Sequence, residues 1–362
     1  MKKRIMLVMG TRPEAIKLAP VIFELGRHGK DFKADVVWTG QHLTLARPFL
    51  ELFQIKPAFH FDVMQKNQSL ADTANRILKK LDPLFKRERP DMVLVQGDTT
   101  TAFIATLCAF YNKIPVAHVE AGLRTGNPHQ PFPEEKNREL VSHLASLHFA
   151  PTQISKKNLL DEGVDPDSIF VVGNSVVDAL MWLVKRYPPP RTKTDVKTLL
   201  VTLHRRESFG TPLKNICDAI ASLVKRNRDL KVIFPVHPNP NVKKTVTNKL
   251  GGVKQIRLMS PLDYVSFIHH LSNCSAVLTD SGGIQEEAPC LGKIALVVRD
   301  VTERPEGIAA GSNILVGREP RNIIAQVERV LYNKKKLSCS ARFPFGKGDT
   351  AKKIVKILKR YV

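Results

Sequence analysis

The sequence predicts an α/β protein with two doubly wound parallel sheets, each in its own domain. Short apolar runs such as 92–95 and 116–119 are rich in β-branched residues, as is typical of strands buried on both faces. They alternate with stretches of helical character, which is the pattern of parallel-sheet proteins. The alternation stops at Pro188-Pro189-Pro190, where a helix cannot continue, and then restarts. A domain boundary is therefore expected near this triplet.

In the first half of the chain, the same pattern gives each element in turn. The predicted strands are 4–9, 34–39, 92–95, 116–119 and 147–150. The predicted helices begin at Pro13, Leu70, Thr100, Glu134 and Val176. Thr11 and Glu14 form a capping box at the first helix, and Pro13 suits its first turn because proline has no amide hydrogen to leave unpaired.

In the second half, the strands and helices alternate again. The predicted strands are 198–202, 232–235, 256–259, 276–279, 294–297 and 313–316. The last helix, 350–361, is basic outside and apolar at Ile354, Val355 and Leu358, so it could close back over the first lobe. We predict one domain over 1–175, to which 349–362 returns, and a second over 176–348, with a cleft between them.

Composition limits the classes of function. The formal net charge of +22 favours an anionic partner, but 7% aromatic content and the lack of a reading motif argue against nucleic-acid binding. No apolar run approaches the roughly 20 residues that span a bilayer, so no membrane insertion is expected. The five cysteines are scattered and odd in number, which is typical of reduced thiols in a cytoplasmic protein.

Three carboxylates follow the central predicted strands. Asp98 and Glu120 lie just beyond two of these strands, and the loop that carries Glu134 can reach them. Ligands of open α/β sheets bind beyond the carboxyl ends of the strands, so we expect one site for acid/base chemistry on an anionic substrate. The alternative is structural, with Asp98 as a helix cap and the glutamates as partners of Arg124 or Arg138.

The turn after the first strand has the composition of an anion site. Its capping box accounts for Thr11, Pro13 and Glu14, but not for Arg12 or Lys17. A helix start at the carboxyl end of a strand binds anions, and the Arg12 guanidinium would add two parallel donors for a phosphate or carboxylate. Arg12 and Lys17 are therefore candidate binding residues.

A second such turn follows the predicted strand 276–279. Ser281, Gly282 and Gly283 open a helix there, and their amides and hydroxyl can cradle a diphosphate. Glu287, about one turn later, can accept hydrogen bonds from a ribose diol. The alternative is a tight turn with Ser281 as its cap. The segment is not a Walker loop, because no Gly-Lys-Ser/Thr follows it. The chain also lacks a dinucleotide-binding fingerprint, because no Gly-x-Gly-x-x-Gly follows the first strand.

His204 is the histidine that most indicates a function. It ends an apolar strand and precedes two arginines, which favours a contact to a diphosphate or a sugar. His118 and His237 also end strands, and we expect each to be a hydrogen-bonded core residue. The histidines lack His-x-x-x-His and His-Glu-x-x-His spacing, so no metal site is expected.

Six segments of the chain resemble the non-hydrolysing bacterial UDP-N-acetylglucosamine 2-epimerases. They are GTRPEAIK (10–17), QGDTTT (96–101), HVEAGLRTG (118–126), PEEKNR (133–138), HRRE (204–207) and TDSGGIQEEAP (279–289). They occur in the family's order and at its spacing. The resemblance runs from Arg4 to the last helix.

The resemblance implies a glycosyltransferase-B-like fold, with two Rossmann-like domains and an active site between them. It also implies reversible interconversion of UDP-N-acetylglucosamine and UDP-N-acetylmannosamine. In that reaction UDP is eliminated to leave a 2-acetamidoglucal. UDP then adds back, and the proton returns to the opposite face of carbon 2. No cofactor or metal is implied, the family is usually dimeric, and surface polysaccharide synthesis is its usual use.

Individual positions match the family's functional residues. The catalytic positions are matched by Asp98, Glu120, Glu134 and His204. The substrate-binding positions are matched by Arg12, Lys17, Phe267, Ser281, Gly282, Gly283, Glu287 and Arg304. Proton removal on one face and return on the other need a base and an acid, so more than one carboxylate is required. Our hypothesis is that Asp98 removes the carbon-2 proton while the glutamates assist.

Many family members are activated by a second UDP-N-acetylglucosamine, and this chain matches that allosteric site in part. Gln41, Arg205 and His237 are present. Asn67 stands where some members have arginine, and 43–46 lack the usual polar and methionine-bearing residues. We therefore expect no strong activation.

Other departures keep alternatives open. Leu203 and 343–348 differ from the family pattern, which allows a modified UDP-sugar, such as a 3-amino or uronic derivative, as substrate. A hydrolysing epimerase, a retaining glycosyltransferase of the same fold and a nucleotide-sugar-binding module are further alternatives. Incubation with UDP-N-acetylglucosamine alone discriminates among them, since only the epimerase forms the manno epimer reversibly.

Overall fold

The computed structural model describes residues 2–41, 43–65, 68–190, 196–204, 209–333 and 343–362. Asn67 and Arg205 lie outside these ranges. The chain forms two compact units, Met1–Met181 with Phe345–Val362, and Trp182–Pro344. Each unit contains one parallel sheet. The prediction of two parallel-sheet α/β domains is confirmed.

The first unit is built on a sheet of seven parallel strands in its described part. Along the chain these are β1 (Lys3–Met9), β2 (Phe32–Trp38), β3 (Phe59–His60), β4 (Met92–Gln96), β5 (Val116–Val119), β6 (Leu147–Ala150) and β7 (Ile169–Val171). Their order across the sheet is β3-β2-β1-β4-β5-β6-β7. This is the Rossmann order with one further strand at an edge.

Helices connect these strands. They are α1 (Arg12–Arg27), α2 (Leu43–Leu52), α3 (Leu70–Glu88), α4 (Thr100–Tyr111), α5 (Glu134–Leu144), α6 (Gln153–Asp161) and α7 (Ser175–Arg186). Met6, Val8 and Val93 of the central strands pack with apolar residues of α3 and α4 in one core. α2, β3, α6 and β7 were not among the predicted elements.

The second unit repeats the arrangement with six parallel strands among its described residues. The strands are β8 (Lys197–Thr202), β9 (Leu230–Pro235), β10 (Ile256–Met259), β11 (Ala276–Thr279), β12 (Ile294–Val297) and β13 (Asn313–Leu315). Their order, β10-β9-β8-β11-β12-β13, is again the Rossmann order. The helices are α8 (Thr211–Arg226), α9 (Pro240–Leu250), α10 (Tyr264–Asn273), α11 (Gly282–Cys290), α12 (Pro305–Ala309) and α13 (Pro320–Tyr332).

The C-terminal helix α14 (Thr350–Tyr361) belongs to the first unit and packs against α1. Its Ile354, Val355 and Leu358 are buried. Asp178 of α7 accepts the amides of Thr350 and Ala351 at 3.2 and 2.9 Å, which stabilises the start of α14. No helix in the described part of the chain is both long and apolar enough to cross a bilayer.

Both sheets reverse their strand order at one point. In the first unit the chain passes from β1 outward to β2 and returns to β4, and in the second it does the same from β8 to β11. The loops after these strand pairs run to opposite sides and leave a crevice, where ligands of open α/β sheets bind. These loops contain 10–11 and 97–99 in the first unit, and 203–204 and 280–281 in the second.

Candidate active site

Glu120 is a buried and firmly held carboxylate of the first unit. It follows β5 with a φ of +67°, in the left-handed region that residues other than glycine rarely adopt. Its Oε1 accepts hydrogen bonds from Lys17 Nζ and, at 2.8 Å, from Asn174 Nδ2. Its Oε2 accepts one from Gln96 Nε2. Glu120 and Lys17 are each 7% exposed, so these contacts fix a buried ion pair at the end of β5.

Asp98 lies in the loop after β4 and is held by α5. Arg138 Nη2 donates to Asp98 Oδ2, and Asn137 Nδ2 donates to the Asp98 carbonyl oxygen at 2.9 Å. The Asp98 side chain is 27% exposed, so a ligand can reach it. A methyl group at Gly97 would lie 3.4 Å from Glu120 Oε2. The structure therefore places Asp98 in a loop that runs beside the Glu120 carboxylate.

Glu134 is the first residue of α5 and is half-buried. Residues three and four positions apart share a helix face, so Glu134 lies on the face that carries Asn137 and Arg138. Because both of these contact Asp98, α5 brings Glu134 to the same side of the sheet edge as Asp98.

The structural alternative for the carboxylates is wrong in one respect. Thr99, not Asp98, caps α4, since its hydroxyl accepts the Ala102 amide at 3.0 Å. Arg124 pairs with Glu162 at 2.6 Å. The carboxylate of Asp98 is thus not used as a helix cap.

Glu14 joins the start of α1 to the loop after β4. Its Oε2 accepts the amides of Gly10 and Thr11 at 3.0 and 2.7 Å, and its Oε1 accepts the Thr99 hydroxyl at 2.8 Å. The amide contact to Thr11 is the one expected of the predicted capping box, whereas the link to Thr99 was not predicted. Glu14 is fully buried, and this burial raises the pKa of its carboxyl to about 7.

The raised pKa of Glu14 predicts a pH-dependent stability. The unfolded carboxyl ionises near pH 4.5, while the folded one keeps its proton to about pH 7. Its contribution to stability is therefore present below pH 4.5 and is lost as the pH rises to about 7, at up to ~1.4 kcal/mol per pH unit. Glu14→Gln should remove this dependence, as measured by denaturant unfolding at pH 5 and pH 7.5.

The matched control is Glu51→Gln, which changes an exposed glutamate of α2. Glutamine at position 14 still offers an acceptor to the Gly10 and Thr11 amides and a donor to the Thr99 hydroxyl. If Glu14→Gln and the wild type lose the same stability between the two pH values, Glu14 does not titrate in this range.

Arg12 and Gln41 lie near the carboxyl ends of β1 and β2. Arg12 is the first residue of α1, is exposed, and lies with its guanidinium 5.6 Å from the centre of the Phe49 ring. Gln41 Oε1 accepts the Thr101 hydroxyl at 2.7 Å. A methyl group at Gly10 would lie 2.5 Å from that hydroxyl, so only glycine fits where these elements meet.

In the second unit, His204 is coupled to a buried aspartate. His204 Nδ1 lies 2.9 Å from Asp280 Oδ1, and the His204 amide donates to the two Asp280 carboxylate oxygens at 3.1 and 3.2 Å. Asp280 is fully buried. Asp280 was not predicted as a site residue. The signal is the strand order, because Thr202 of β8 and Thr279 of β11 are register partners and the residues after them meet.

The start of α11 is open to solvent on one side and closed on the other. Ser281 is the N-cap residue, but its side chain makes no capping hydrogen bond. A methyl group at Gly283 would meet nothing within 4 Å, whereas one at Gly282 would lie 2.5 Å from Arg304 Nη1. The Ser281 hydroxyl and the open side at Gly283 are thus available to a ligand.

Arg304 lies beneath this helix start. Its Nε donates to Glu286 Oε1 at 2.8 Å and its Nη1 donates to Glu303 Oε1. Glu303 Oε2 in turn accepts Arg299 Nη1 at 2.7 Å. All four side chains are buried. Arg304, which matches a substrate-binding position of the family, therefore supports the α11 start from within the protein.

Glu287 of α11 contacts α10, the helix that carries Phe267. The buried Glu287 accepts the Tyr264 hydroxyl at 2.5 Å. Tyr264 begins α10, and Phe267 lies three residues later on the same helix face, half-buried. Tyr264 is a site neighbour that sequence reasoning missed, because its partner is 23 residues away in another helix.

The other histidines have structural contacts. His118 is fully buried, with Nε2 2.8 Å from the Gly97 carbonyl oxygen, and burial lowers its pKa to about 3. The prediction of a hydrogen-bonded core histidine is confirmed for His118. His237 is half-buried, accepts the Asn239 amide at 3.2 Å through Nδ1, and lies beside the Phe209 ring. Among the described residues, no group of three His, Cys, Asp or Glu could hold a metal ion.

Comparison with known proteins places the chain in a family. The model of a family described as UDP-N-acetylglucosamine 2-epimerase matches residues 24–359. The UDP-N-acetylglucosamine 2-epimerase of Salmonella typhimurium is 44% identical over 374 residues, which cover 99% of each chain.

Solved structures are similar over the whole chain. The crystal structure of UDP-GlcNAc 2-epimerase from Neisseria meningitidis, bound to UDP-GlcNAc, is 43% identical, has a TM-score of 0.91, and covers 99% of this chain and 100% of that one. The glycotransferase of kitacinnamycin is 11% identical with a TM-score of 0.67 over 99% of both chains, which shows a shared fold alone.

The fold and the residues at its two switch points define a two-domain α/β enzyme with a glycosyltransferase-B-like fold. The family resemblance is confirmed by the family match over 24–359 and by the Salmonella relative, which covers 99% of the chain. The chain belongs to the UDP-N-acetylglucosamine 2-epimerase family, and it is accordingly an isomerase.

Proposed function

We propose that this protein interconverts UDP-N-acetylglucosamine and UDP-N-acetylmannosamine reversibly, by elimination and re-addition of UDP. The observation that carries the proposal is the pair of carboxylates beside the β4 and β5 ends, Asp98 held by Arg138 and Glu120 held by Lys17. A base and an acid are the groups that an inversion at carbon 2 requires. The Neisseria relative bound to UDP-GlcNAc supports the substrate.

In the proposed first step, Asp98 accepts the carbon-2 proton. The electron pair of the C–H bond forms the double bond between carbons 1 and 2. The bond between carbon 1 and the phosphate oxygen breaks, and its electron pair leaves with UDP. Asp98 suits this role because its carboxylate is partly exposed, whereas Glu120 is buried. Re-addition of UDP to the 2-acetamidoglucal reverses the electron flow, with the proton delivered to the other face by a second carboxylate, for which Glu120 and Glu134 are the candidates.

The UDP part is assigned to the second unit. The α11 start offers main-chain amides and the Ser281 hydroxyl to the diphosphate, and His204 adds a donor beside them. Glu287 is assigned to the ribose, as an acceptor of hydrogen bonds from its diol. Arg304 is assigned to holding the α11 start rather than to contact with phosphate, because its guanidinium is buried against Glu286 and Glu303.

The decisive experiment is incubation with UDP-N-acetylglucosamine alone in deuterium oxide, followed by NMR. The expected result is a mixture of both epimers, each with one deuterium at carbon 2. Free N-acetylmannosamine with UDP would instead indicate a hydrolysing enzyme, and an unchanged substrate would indicate a binding module. Turnover of a 3-amino or uronic UDP-sugar, but not of UDP-N-acetylglucosamine, would identify the modified sugar as the substrate.

Two adjacent glycines give a prediction that separates folding from binding. Gly282→Ala should lower the free energy of unfolding by about 1–3 kcal/mol, because its methyl group would lie 2.5 Å from Arg304 Nη1. Gly283→Ala should leave stability within about 0.5 kcal/mol, since nothing lies within 4 Å, but should weaken UDP binding roughly tenfold. Denaturant unfolding and calorimetric titration with UDP measure the two effects. Normal UDP affinity in Gly283→Ala would contradict this placement of the diphosphate.

We also propose that the protein is a cytoplasmic homodimer, as the family resemblance implies. Cys108, Cys217 and Cys274 are buried free thiols, in keeping with a reducing compartment. On the outer side of α4, Phe110 is 55% exposed and shares a face with Phe103 and Leu107, which is an apolar surface suited to a second copy.

Phe110→Glu should therefore convert the dimer to a monomer without loss of folding, because a buried unpaired charge would disrupt an apolar interface. Light scattering on a size-exclusion column measures the mass. Ile154→Glu, on the exposed side of α6, is the matched control and should stay dimeric. A dimeric Phe110→Glu protein would place the interface elsewhere.

A further inference from the structure

Asp280 contacts both the backbone and the ring of His204. Its Oδ1 lies 2.9 Å from His204 Nδ1, and its carboxylate oxygens accept the His204 amide at 3.1 and 3.2 Å. Asp280 is fully buried at the end of β11, whereas 37% of the His204 side chain is exposed. The exposed edge of the ring is therefore the one away from Asp280, which carries Nε2.

This arrangement decides which ring nitrogen holds a proton. An ionised carboxylate only accepts hydrogen bonds, so His204 Nδ1 must be the N–H that faces it. In the neutral ring, Nε2 then presents a lone pair. In the doubly protonated ring, Nε2–H becomes a charge-assisted donor, and the carboxylate of Asp280 balances the positive charge.

The neighbourhood of the pair connects it to the diphosphate site. Asp280 is followed directly by Ser281 and the α11 start, so one strand end supplies both the carboxylate and the main-chain amides. Because β8 and β11 are adjacent and in register, His204 and the α11 start follow neighbouring strand ends at the switch point of the sheet.

We propose that Asp280 is a positioning residue: it holds His204 with Nδ1–H toward itself and turns Nε2 toward the diphosphate of the UDP-sugar. This inference rests on the proposed function and adds to it the group that fixes the histidine. When the carbon 1–oxygen bond breaks, Nε2–H of the protonated ring donates a hydrogen bond to the phosphate oxygen that receives the electron pair. No proton is transferred, and Asp280 itself touches neither the sugar nor the phosphate.

The first test needs no turnover. NMR of the ligand-free protein labelled with ¹⁵N-histidine reports which ring nitrogen is protonated, and His204→Asn identifies the signals of His204 by their loss. The expected result is a proton on Nδ1 at every pH at which the ring is neutral. A neutral ring with its proton on Nε2 in the wild type would overturn the proposal. This measurement uses the unaltered protein, so it does not depend on whether an Asp280 variant folds.

The second test asks whether Asp280 acts through His204. Asp280→Asn is expected to lower kcat for UDP-N-acetylglucosamine epimerisation by about 10–100-fold with KM changed less than about threefold, because an asparagine can favour the wrong ring tautomer. In a protein that already carries His204→Asn, the same substitution should change kcat less than about twofold. An equal loss of kcat in both backgrounds would mean that Asp280 acts only through stability, and the proposal would be wrong.

The two tests also separate this proposal from the proposed function. If the wild type does not epimerise the UDP-sugar, the proposed function fails, while the tautomer of His204 still decides the role of Asp280. If epimerisation occurs but the neutral ring is protonated on Nε2, the proposed function stands and the positioning role is rejected.

Discussion

Asp98→Asn is expected to lower kcat for epimerisation by about 10²–10⁴-fold, the usual contribution of a general base. It should also abolish the exchange of the carbon-2 proton with solvent deuterium. The substitution removes the basic oxygen but keeps an acceptor for the Arg138 guanidinium, which contacts Asp98 Oδ2. KM should therefore change little. NMR of the substrate in deuterium oxide and steady-state kinetics measure the two quantities.

A matched control comes from α6. Asp161→Asn removes an exposed carboxylate whose ion pair with Lys157 is on the surface, and it should leave both kcat and exchange unchanged. Thermal unfolding of both variants checks that folding is intact. If Asp98→Asn still exchanges the carbon-2 proton at the wild-type rate, Asp98 is not the base. Glu134→Gln then tests Glu134, which lies on the same side of the sheet edge as Asp98, as the base.

The sequence predicted the fold well because parallel strands buried on both faces leave a strong local signal. The runs at β4, β5 and β11 are mostly apolar, every residue in them is buried, and they were located within a residue or two. β3 has only two residues, and no alternation can be read from so short an edge strand. α2 was not predicted; it contains Pro48, which is unfavourable inside a helix, and it packs against α1.

The site was predictable only as far as strand ends could be recognised. Asp98, Glu120 and His204 follow strands, and the rule that ligands bind beyond the carboxyl ends singled them out. Their partners could not be found in this way, because contacts such as Asn174 to Glu120 and Asp280 to His204 join residues 54 and 76 positions apart. Such pairs become visible only once strand order and register are known.

Lys17 illustrates this limit, since the resemblance assigned it to substrate binding and the structure shows it in contact with a carboxylate. Its ammonium donates to Glu120 Oε1, and both residues are 7% exposed. Lys17→Met is expected to lower the free energy of unfolding by about 3–5 kcal/mol, because it leaves the buried Glu120 charge without its cation. Denaturant unfolding at neutral pH measures this change.

The double variant Lys17→Met with Glu120→Gln distinguishes stability from catalysis. Replacing both members of a buried ion pair by neutral groups of similar size is often close to neutral, so most of the lost stability should return. The amide oxygen still accepts a hydrogen bond from Gln96 or Asn174, which in the wild type donate to different carboxylate oxygens, and the amide NH2 group can donate to the side-chain oxygen of the other residue. If Glu120 is the carboxylate that returns the proton, the double variant should not epimerise the UDP-sugar, because a neutral amide cannot exchange a proton with carbon 2. If Lys17→Met alone costs less than about 1 kcal/mol, the pair is not a stabilising contact, and the ammonium of Lys17 is kept for the substrate instead.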